Sequence, residues 1–372
     1  MITSDPWLLT PGPLTTSATV KQAMLRDWGS RDDAFIAMNE RVRHRLVALA
    51  NAEASHVCVP VQGSGTFAIE ATIGTLVPKT SKLLVLVNGA YGKRMVRIAQ
   101  VMRREVVAIE TSEDRPVSPA AVQAMLRSDP LISHVAVVHC ETTSGILNPI
   151  EEVAQVCASH ARALIIDAMS TFGALPLDAS KLQSQALVAS ANKCLEGVPG
   201  IGFAIIERYA LKRSRGNAHS LSLDLEDQWR CFEANGQWRF TPPTHVLAAF
   251  DRALDELAAE GGIGMRLSRY RQNHDVLVEG MASLGFETLL PRALQAPIIV
   301  TFLLPADQGF VFERFYELLL RKGFVIYPGK LTIADSFRIG CIGRLGEAQM
   351  RAAVDAVRRT LGEMGITSGA PD

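Results

Sequence analysis

With 372 residues, 48% of them hydrophobic and 20% charged, the chain is long enough for a substantial buried core and divides most simply into one large and one smaller domain. Its 38 basic residues balance 38 acidic ones, so no net charge steers it toward nucleic acid or an anionic membrane, and those partners are set aside. Six cysteines, at 58, 140, 157, 194, 231 and 341, form no CxxC pair and read as reduced thiols of a cytoplasmic protein.

The start, MITSDPWLLTPGP, has no basic n-region or continuous apolar stretch, and no later segment offers about 18 uninterrupted apolar residues, so neither export nor anchorage is expected. Residues 1–20 read as an N-terminal arm. From about residue 57 to 210, short apolar runs alternate with stretches able to form helices: HVCVPV, KLLVLVNG, EVVAIET, HVAVVHCET, ALIIDAM, ALVASANK and IGFAIIE. Most lack polar alternation, which predicts strands covered on both faces and hence a mainly parallel α/β sheet. The pattern turns polar and irregular between 211 and 245. A connector helix in VLAAFDRALDELAAEGG then closes a large domain spanning 21–260. The remainder, 261–372, predicts a smaller α+β domain. It holds a helix near 265–284, a strand IIVTFLL, a helix FVFERFYELLLRKG, two short strands in FVIYPG and SFRIGCIG, and a closing helix from about 347 to 364. The tail TSGAPD is small and polar, and fraying is expected there.

In an open parallel sheet a ligand sits at the carboxyl ends of the strands, so the residues just beyond each apolar run carry the information. ALIID ends on Asp167, and Lys193 follows ALVASAN. VPVQGSGT turns through Gly63, Ser64, Gly65 and Thr66 toward a helix, and VLVNGAYGKR presents Asn88 and Tyr91. Singly, each has an ordinary explanation. An aspartate caps a helix, a lysine sits in solvent, a tyrosine packs, and small residues open helices. Together they place a carboxylate, an amine, an anion-binding turn and an aromatic face on one crevice. Pyridoxal 5′-phosphate needs that set: a lysine for the Schiff base, a carboxylate for the pyridine nitrogen, a helix N-terminus for the phosphate and a ring to stack on. The glycine turn lacks the third glycine of a dinucleotide fingerprint. The eight histidines show no HExxH spacing, and His134 and His139, five apart on one strand, are expected to face opposite sides, so no metal site is expected.

The motifs LLTPGPLTTS, QGSGTFAIEA, NGAYGKRM, CETTSGILNPI, IIDAMSTFGALPLD, SANKCLEGVPGIGFAII, RFTPPTH and SFRIGCIG together resemble the class V aminotransferases, pyridoxal-phosphate enzymes of fold-type I. Within the class, DWGSRDDAF, ANKCLEG and YPGKLT are most similar to the 2-aminoethylphosphonate:pyruvate branch, with alanine:glyoxylate and serine:pyruvate aminotransferases as the alternative. The resemblance implies that Lys193 holds the cofactor and Asp167 pairs with its ring nitrogen. Ser64, Gly65 and Thr66 would hold the phosphate, with Asn192 beside the lysine, and Tyr91 would stack on the ring. Thr142 would lie near the ring oxygen or the substrate. Thr241 would reach the other subunit's phosphate in a homodimer, and Arg338 would grip the substrate's acid group. A phosphonate donor, followed by pyruvate in the same pocket, calls for additional cations and donors; Arg31, Lys330, Ser17 and Thr16 are weaker choices, and both charges read equally well as solvated loop residues. A desulfurase would need a mobile cysteine, whereas Cys341 lies in an apolar run. A regulatory module of the same fold would have no use for the lysine, the aspartate and the arginine together.

Overall fold

The computed structural model describes residues 5–371; the first four residues of the N-terminal arm and Asp372 of the tail lie outside the described residues. In the arm, β1 (Trp7–Leu8) runs parallel to a strand from the far end of the chain. The apolar runs then form β2 (His56–Gln62), β3 (Lys82–Val87), β4 (Glu105–Glu110) and β5 (Ile132–Val138). A small hairpin, β6 (Cys140–Glu141) and β7 (Ile146–Leu147), precedes β8 (Ala163–Asp167), β9 (Ala186–Ser190) and β10 (Ile201–Glu207).

Seven of these make one sheet in the order β2-β10-β9-β8-β5-β3-β4, in which only β10 runs against its neighbours. The sheet is therefore mixed and mainly parallel, as the unbroken apolar runs predict. Both faces are covered: Val135, Ile166 and Leu187 pack into one buried cluster, and Ala136, Ile165 and Val188 into the other. Alternate residues of a strand point to opposite faces, so a strand apolar throughout needs cover on both. Gly202 in β10 sets how closely one cover approaches, because a Cβ there would lie 2.8 Å from Cβ of Ala68 in the helix Gly65–Leu76.

The chain beyond the helix Thr244–Glu260 carries β11 (Ile299–Leu303), β12 (Phe324–Val325), β13 (Tyr327–Pro328) and β14 (Ser336–Gly340). Strands β11, β14 and β13 form an antiparallel sheet over a phenylalanine cluster in which Phe337 meets Phe286, Phe302 and Phe315 at centroid distances of 5.4 to 5.6 Å. The helices Gly262–Ala282 and Glu347–Met364 pack against one another beside it.

Three features differ from the sequence reading. FVIYPG does not form one strand: Phe324–Val325 pairs with the arm and Tyr327–Pro328 with β14, the chain switching partners at Ile326. The region read as irregular contains a helix, Leu225–Asn235, whose Asp224 side chain accepts from Asp227 N–H and whose end turns through Gly236 at φ 73°. The tail docks rather than frays, with Gly369 N–H donating to Leu284 O at 2.8 Å and Ala370 O accepting from Ala306 N–H at 2.8 Å.

Candidate active site

The carboxyl ends of β2, β3, β8 and β9 border a cavity of about 200 Å³ lined by Ser64, Gly65, Thr66, Tyr91, Asp167, Asn192 and Lys193. Seven of the ten residues expected at the site thus share one space. Ser64 stands at the N-cap of the helix Gly65–Leu76 with extended backbone, and its hydroxyl caps nothing. The helix's first N–H groups lack intrahelical acceptors, so this turn presents donors and the positive end of a dipole. Tyr91 lies in the first turn of the helix Ala90–Val101, which places its ring at the wall.

Lys193 is half-buried and donates from Nζ to Pro11 O at 2.6 Å. The arm thus folds onto the lysine. Gly12 makes this possible: its φ is +116°, and a Cβ there would lie 2.5 Å from Cδ of Lys193. Loss of solvent pushes the amine down to about 8, Arg338's charge acting the same way and Asp167 opposing it. Asp167 is buried, and the one hydrogen bond its carboxylate makes is from Met169 N–H at 3.0 Å. Burial raises its carboxyl to about 6; Glu141 pushes in the same direction, while Lys193 and Arg94 pull it down. A cationic partner placed against it would return such a carboxyl to its ionised form.

Thr142 and Arg338 do not line this cavity but are tied to each other. Arg338 is 1% exposed in β14 and donates from Nη1 to Thr142 O at 2.8 Å and from Nε to Pro328 O at 3.1 Å. The Thr142 hydroxyl is buried with no partner. Thr241 is exposed, near Phe240 and Phe67 in a separate cavity of about 540 Å³, so within one chain it does not meet the others. Of the weaker choices, Ser17 caps the helix Ala18–Gln22 and donates to Glu256 at 2.7 Å, which commits it to the arm's own structure. Arg31 is exposed and unpaired among the described residues, and Thr16 makes no hydrogen bond there. Asn88 is structural: it exchanges hydrogen bonds with Asn148 and donates to Arg115 O.

Three residues went unnoticed in the sequence. Arg94, one turn beyond Tyr91, lies over its ring at 4.8 Å and donates to Thr66 Oγ1 at 3.2 Å. Its i, i+3 spacing from Tyr91 was the available signal. Glu141 is fully buried and accepts from Tyr91 N–H at 3.1 Å and Thr143 Oγ1 at 2.7 Å, so a carboxylate anchors the start of the helix that carries the aromatic wall. Pro11 reaches Lys193 from 182 positions away, which no local pattern reveals.

A larger cleft of about 950 Å³, bordered by Leu49, His139, Ile150, Asp178 and Lys181, contains none of the expected residues. His139 follows β5 rather than lying in it, and its Nδ1 meets Thr171 Oγ1 at 2.9 Å; His134 is held by Ser133 and Gln185. Among the described residues no group of three or more His, Cys, Asp or Glu side chains could hold a metal ion. All six cysteines are unpaired, and burial raises the Cys341 thiol, an inert setting for a nucleophile.

A mixed seven-stranded sheet with a lysine and an aspartate at adjacent strand ends defines a fold-type I pyridoxal-phosphate transferase. The chain belongs to the aminotransferase class-V family, whose profile matches residues 17–329. It is 54% identical to a 2-aminoethylphosphonate--pyruvate transaminase of Pseudomonas fluorescens, over 98% of this chain and 99% of that one. It is 52% identical to 2-aminoethylphosphonate--pyruvate transaminase 2 of Burkholderia lata, over 98% and 97%. Among solved structures, an alanine--glyoxylate aminotransferase from Nostoc sp. superposes with a TM-score of 0.90 at 23% identity, covering 97% of this chain and 96% of that one. Pyridoxamine-pyruvate aminotransferase from Mesorhizobium loti gives 0.88 at 24%, covering 98% and 94%. These two likenesses concern the fold. The enzyme is a transaminase that uses pyridoxal 5′-phosphate, and the cavity suits that group: free helix donors, a singly bonded buried carboxylate, an unpartnered hydroxyl nearby and a depressed amine.

Proposed function

We propose that the enzyme transfers the amino group of 2-aminoethylphosphonate to pyruvate, yielding phosphonoacetaldehyde and L-alanine. The observation that carries this reading is the Lys193–Asp167 site in a chain 54% identical, end to end, to a transaminase of that name. Pyridoxal 5′-phosphate supplies an aldehyde carbon and an electron-withdrawing ring. Lys193 would hold the group through Nζ, and its amine, when free, would serve as the base for the proton on the substrate's amine-bearing carbon and as the acid that delivers a proton in the following step. A pKa near 8 leaves a useful fraction of the amine unprotonated at neutral pH. Asp167 would hold the proton on the ring nitrogen. Ser64, Gly65 and Thr66 would bind the phosphate, Tyr91 would cover the ring face, and Asn192 lies beside the lysine at the cavity wall. The unpartnered Thr142 hydroxyl is available to the ring oxygen or the substrate. Arg338 receives the acid group of donor and acceptor alike through its planar guanidinium.

A homodimer completes this reading. Exposed Phe67 and Phe240 line one cavity with Thr241 and Gly63, next to the Ser64 turn, an apolar face of the kind a second copy covers, and Thr241 would then reach the other subunit's phosphate. The six unpaired thiols support a cytoplasmic setting. The division into an arm (1–20), a cofactor-binding domain (21–260) and a smaller domain (261–372) is supported by the separate sheets and by the phenylalanine cluster beneath the second one. A donor panel with pyruvate, scored for alanine formed, tests the assignment. Alanine should form with 2-aminoethylphosphonate and fall to background with serine; serine as the better donor would replace this reading with that of a serine:pyruvate enzyme.

A further inference from the structure

The loop of residues 329–335, between β13 and β14, is fixed at both its base and its tip. At the base, Gly329 N–H donates to Ser336 O at 2.9 Å, and Arg338 Nε holds the neighbouring Pro328 O at 3.1 Å. At the tip, Thr332 donates to Glu113 Oε2 from its N–H at 2.8 Å and from its hydroxyl at 3.2 Å. Glu113 belongs to the connection after β4 and is only 6% exposed; Lys93 Nζ stands 4.0 Å from its other oxygen. The latch therefore joins the strand carrying Arg338 to the helix carrying Tyr91, Lys93 and Arg94.

Lys330 lies between these two anchors. It is exposed and makes no hydrogen bond or ion pair among the described residues, while both oxygens of Glu113 are already engaged. Its amine is lowered by partial burial and then by the positive charges of Arg338 and Arg94, and Arg338 is tied to the base of the same loop through Pro328 O. Two hydrogen bonds to a nearly buried carboxylate thus hold a lysine in a position where it meets repulsion. That arrangement becomes favourable when an anion is shared among the charges.

We infer that Lys330, held by the Thr332–Glu113 latch, is the second cation after Arg338 for a doubly charged donor headgroup, and that it separates phosphonate from carboxylate ligands. The inference rests on the donor proposed above. A carboxylate offers two oxygens and one charge, which a single guanidinium satisfies in bidentate fashion. A phosphonate has a third oxygen and up to one more charge, and these are what Lys330 would take. Pyruvate and alanine then use Arg338 alone in the same pocket.

The test uses the holoenzyme in single-turnover half-reactions, followed by cofactor absorbance, with 2-aminoethylphosphonate or L-alanine as the amine. Lys330→Met should raise the half-saturating concentration of 2-aminoethylphosphonate about tenfold or more, while that of L-alanine moves by under about twofold. Lys330→Arg should restore most of the loss, and Glu113→Gln should weaken phosphonate binding in the same direction. Equal losses for both amines would mean that the loop serves the fold and not the headgroup. If wild type responds to 2-aminoethylphosphonate and Lys330→Met is unchanged, the role of Lys330 falls while the donor assignment stands; a wild type that ignores 2-aminoethylphosphonate overturns both.

Discussion

Lys193 and Glu196 are three residues apart, yet the charged groups around them are bonded very differently. Around Lys193, the amine has one backbone carbonyl, Asp167 has one backbone N–H, and Ser64 caps nothing. Around Glu196, Arg269 Nη2 and Tyr270 OH both donate to Oε1, at 2.7 and 2.6 Å, and Glu260 binds Arg266 Nε and Arg269 Nε at 2.7 Å each. Arg269 also donates to Gly343 O and Leu345 O, and Arg266 Nη1 to Cys194 O at 2.6 Å. Burial alone would lower the Arg269 pKa; its bonds to Glu260 and Glu196 outweigh that and raise it. One cluster spends its charges on holding the backbone of the lysine segment, and the other keeps its polar atoms for a ligand. Buried charge by itself therefore does not mark a functional site. Glu196 Oε2 and Arg266 Nη2 are themselves buried without a partner, so what separates the two sites is the cavity beside Lys193 and Asp167, which leaves room for a ligand, and not the tally of unmade hydrogen bonds.

Substitutions on the two sides should fail in different ways. The largest effect belongs to Lys193→Ala, which should reduce steady-state transamination to background while the far-UV circular dichroism stays that of wild type. Arg269→Met should act through stability, lowering the free energy of unfolding by about 3 kcal/mol in denaturant titrations, since it leaves Glu196 buried without its best partner. In the fraction that remains folded, the donor half-reaction should be nearly intact; a selective loss of kcat at unchanged stability would break the contrast. Asp167→Asn should lower kcat by about 100-fold with little change in melting temperature, because a neutral amide cannot hold the ring nitrogen protonated. Tyr91→Ala should weaken cofactor retention about tenfold in equilibrium dialysis, the loss of one stacking face.

The smallest expected effect is on pH dependence, and its sign follows from the two shifted groups. Lys193 is protonated below about 8 and captures an aldehyde only as the free base, so the rate of cofactor capture by apoprotein should climb with pH and level off above that value. Asp167 is ionised above about 6, so cofactor affinity should fall as the pH drops through that value. A capture rate that is flat with pH would contradict the Lys193 assignment, and an affinity that does not fall below about pH 6 would contradict that of Asp167.

The legible part of the fold was the part written in local pattern. Unbroken apolar runs marked β2, β3, β5, β8 and β9, and their ends delivered Ser64, Tyr91, Asp167, Asn192 and Lys193 because a parallel sheet aligns all carboxyl ends on one side. What stayed hidden depended on closure over long separations: Pro11 and Gly12 on Lys193, and Glu113 on Thr332. The split of FVIYPG was hidden for the same reason, because strand partners are chosen by tertiary packing and not by the five or six residues of the run. The helix Leu225–Asn235 is a different case. Its Asp224 cap, its Gly236 end and a buried stripe of Leu225, Trp229 and Phe232 at i, i+4 and i+7 were all present in the sequence, but they lie inside a stretch whose overall polarity masked them.

The most direct test of the contrast is covalent. Borohydride reduction of the holoenzyme, followed by peptide mass mapping, should leave the cofactor's mass on Lys193 and on no other lysine. A reduced adduct on a different lysine, with the Lys193 peptide unmodified, would contradict the account.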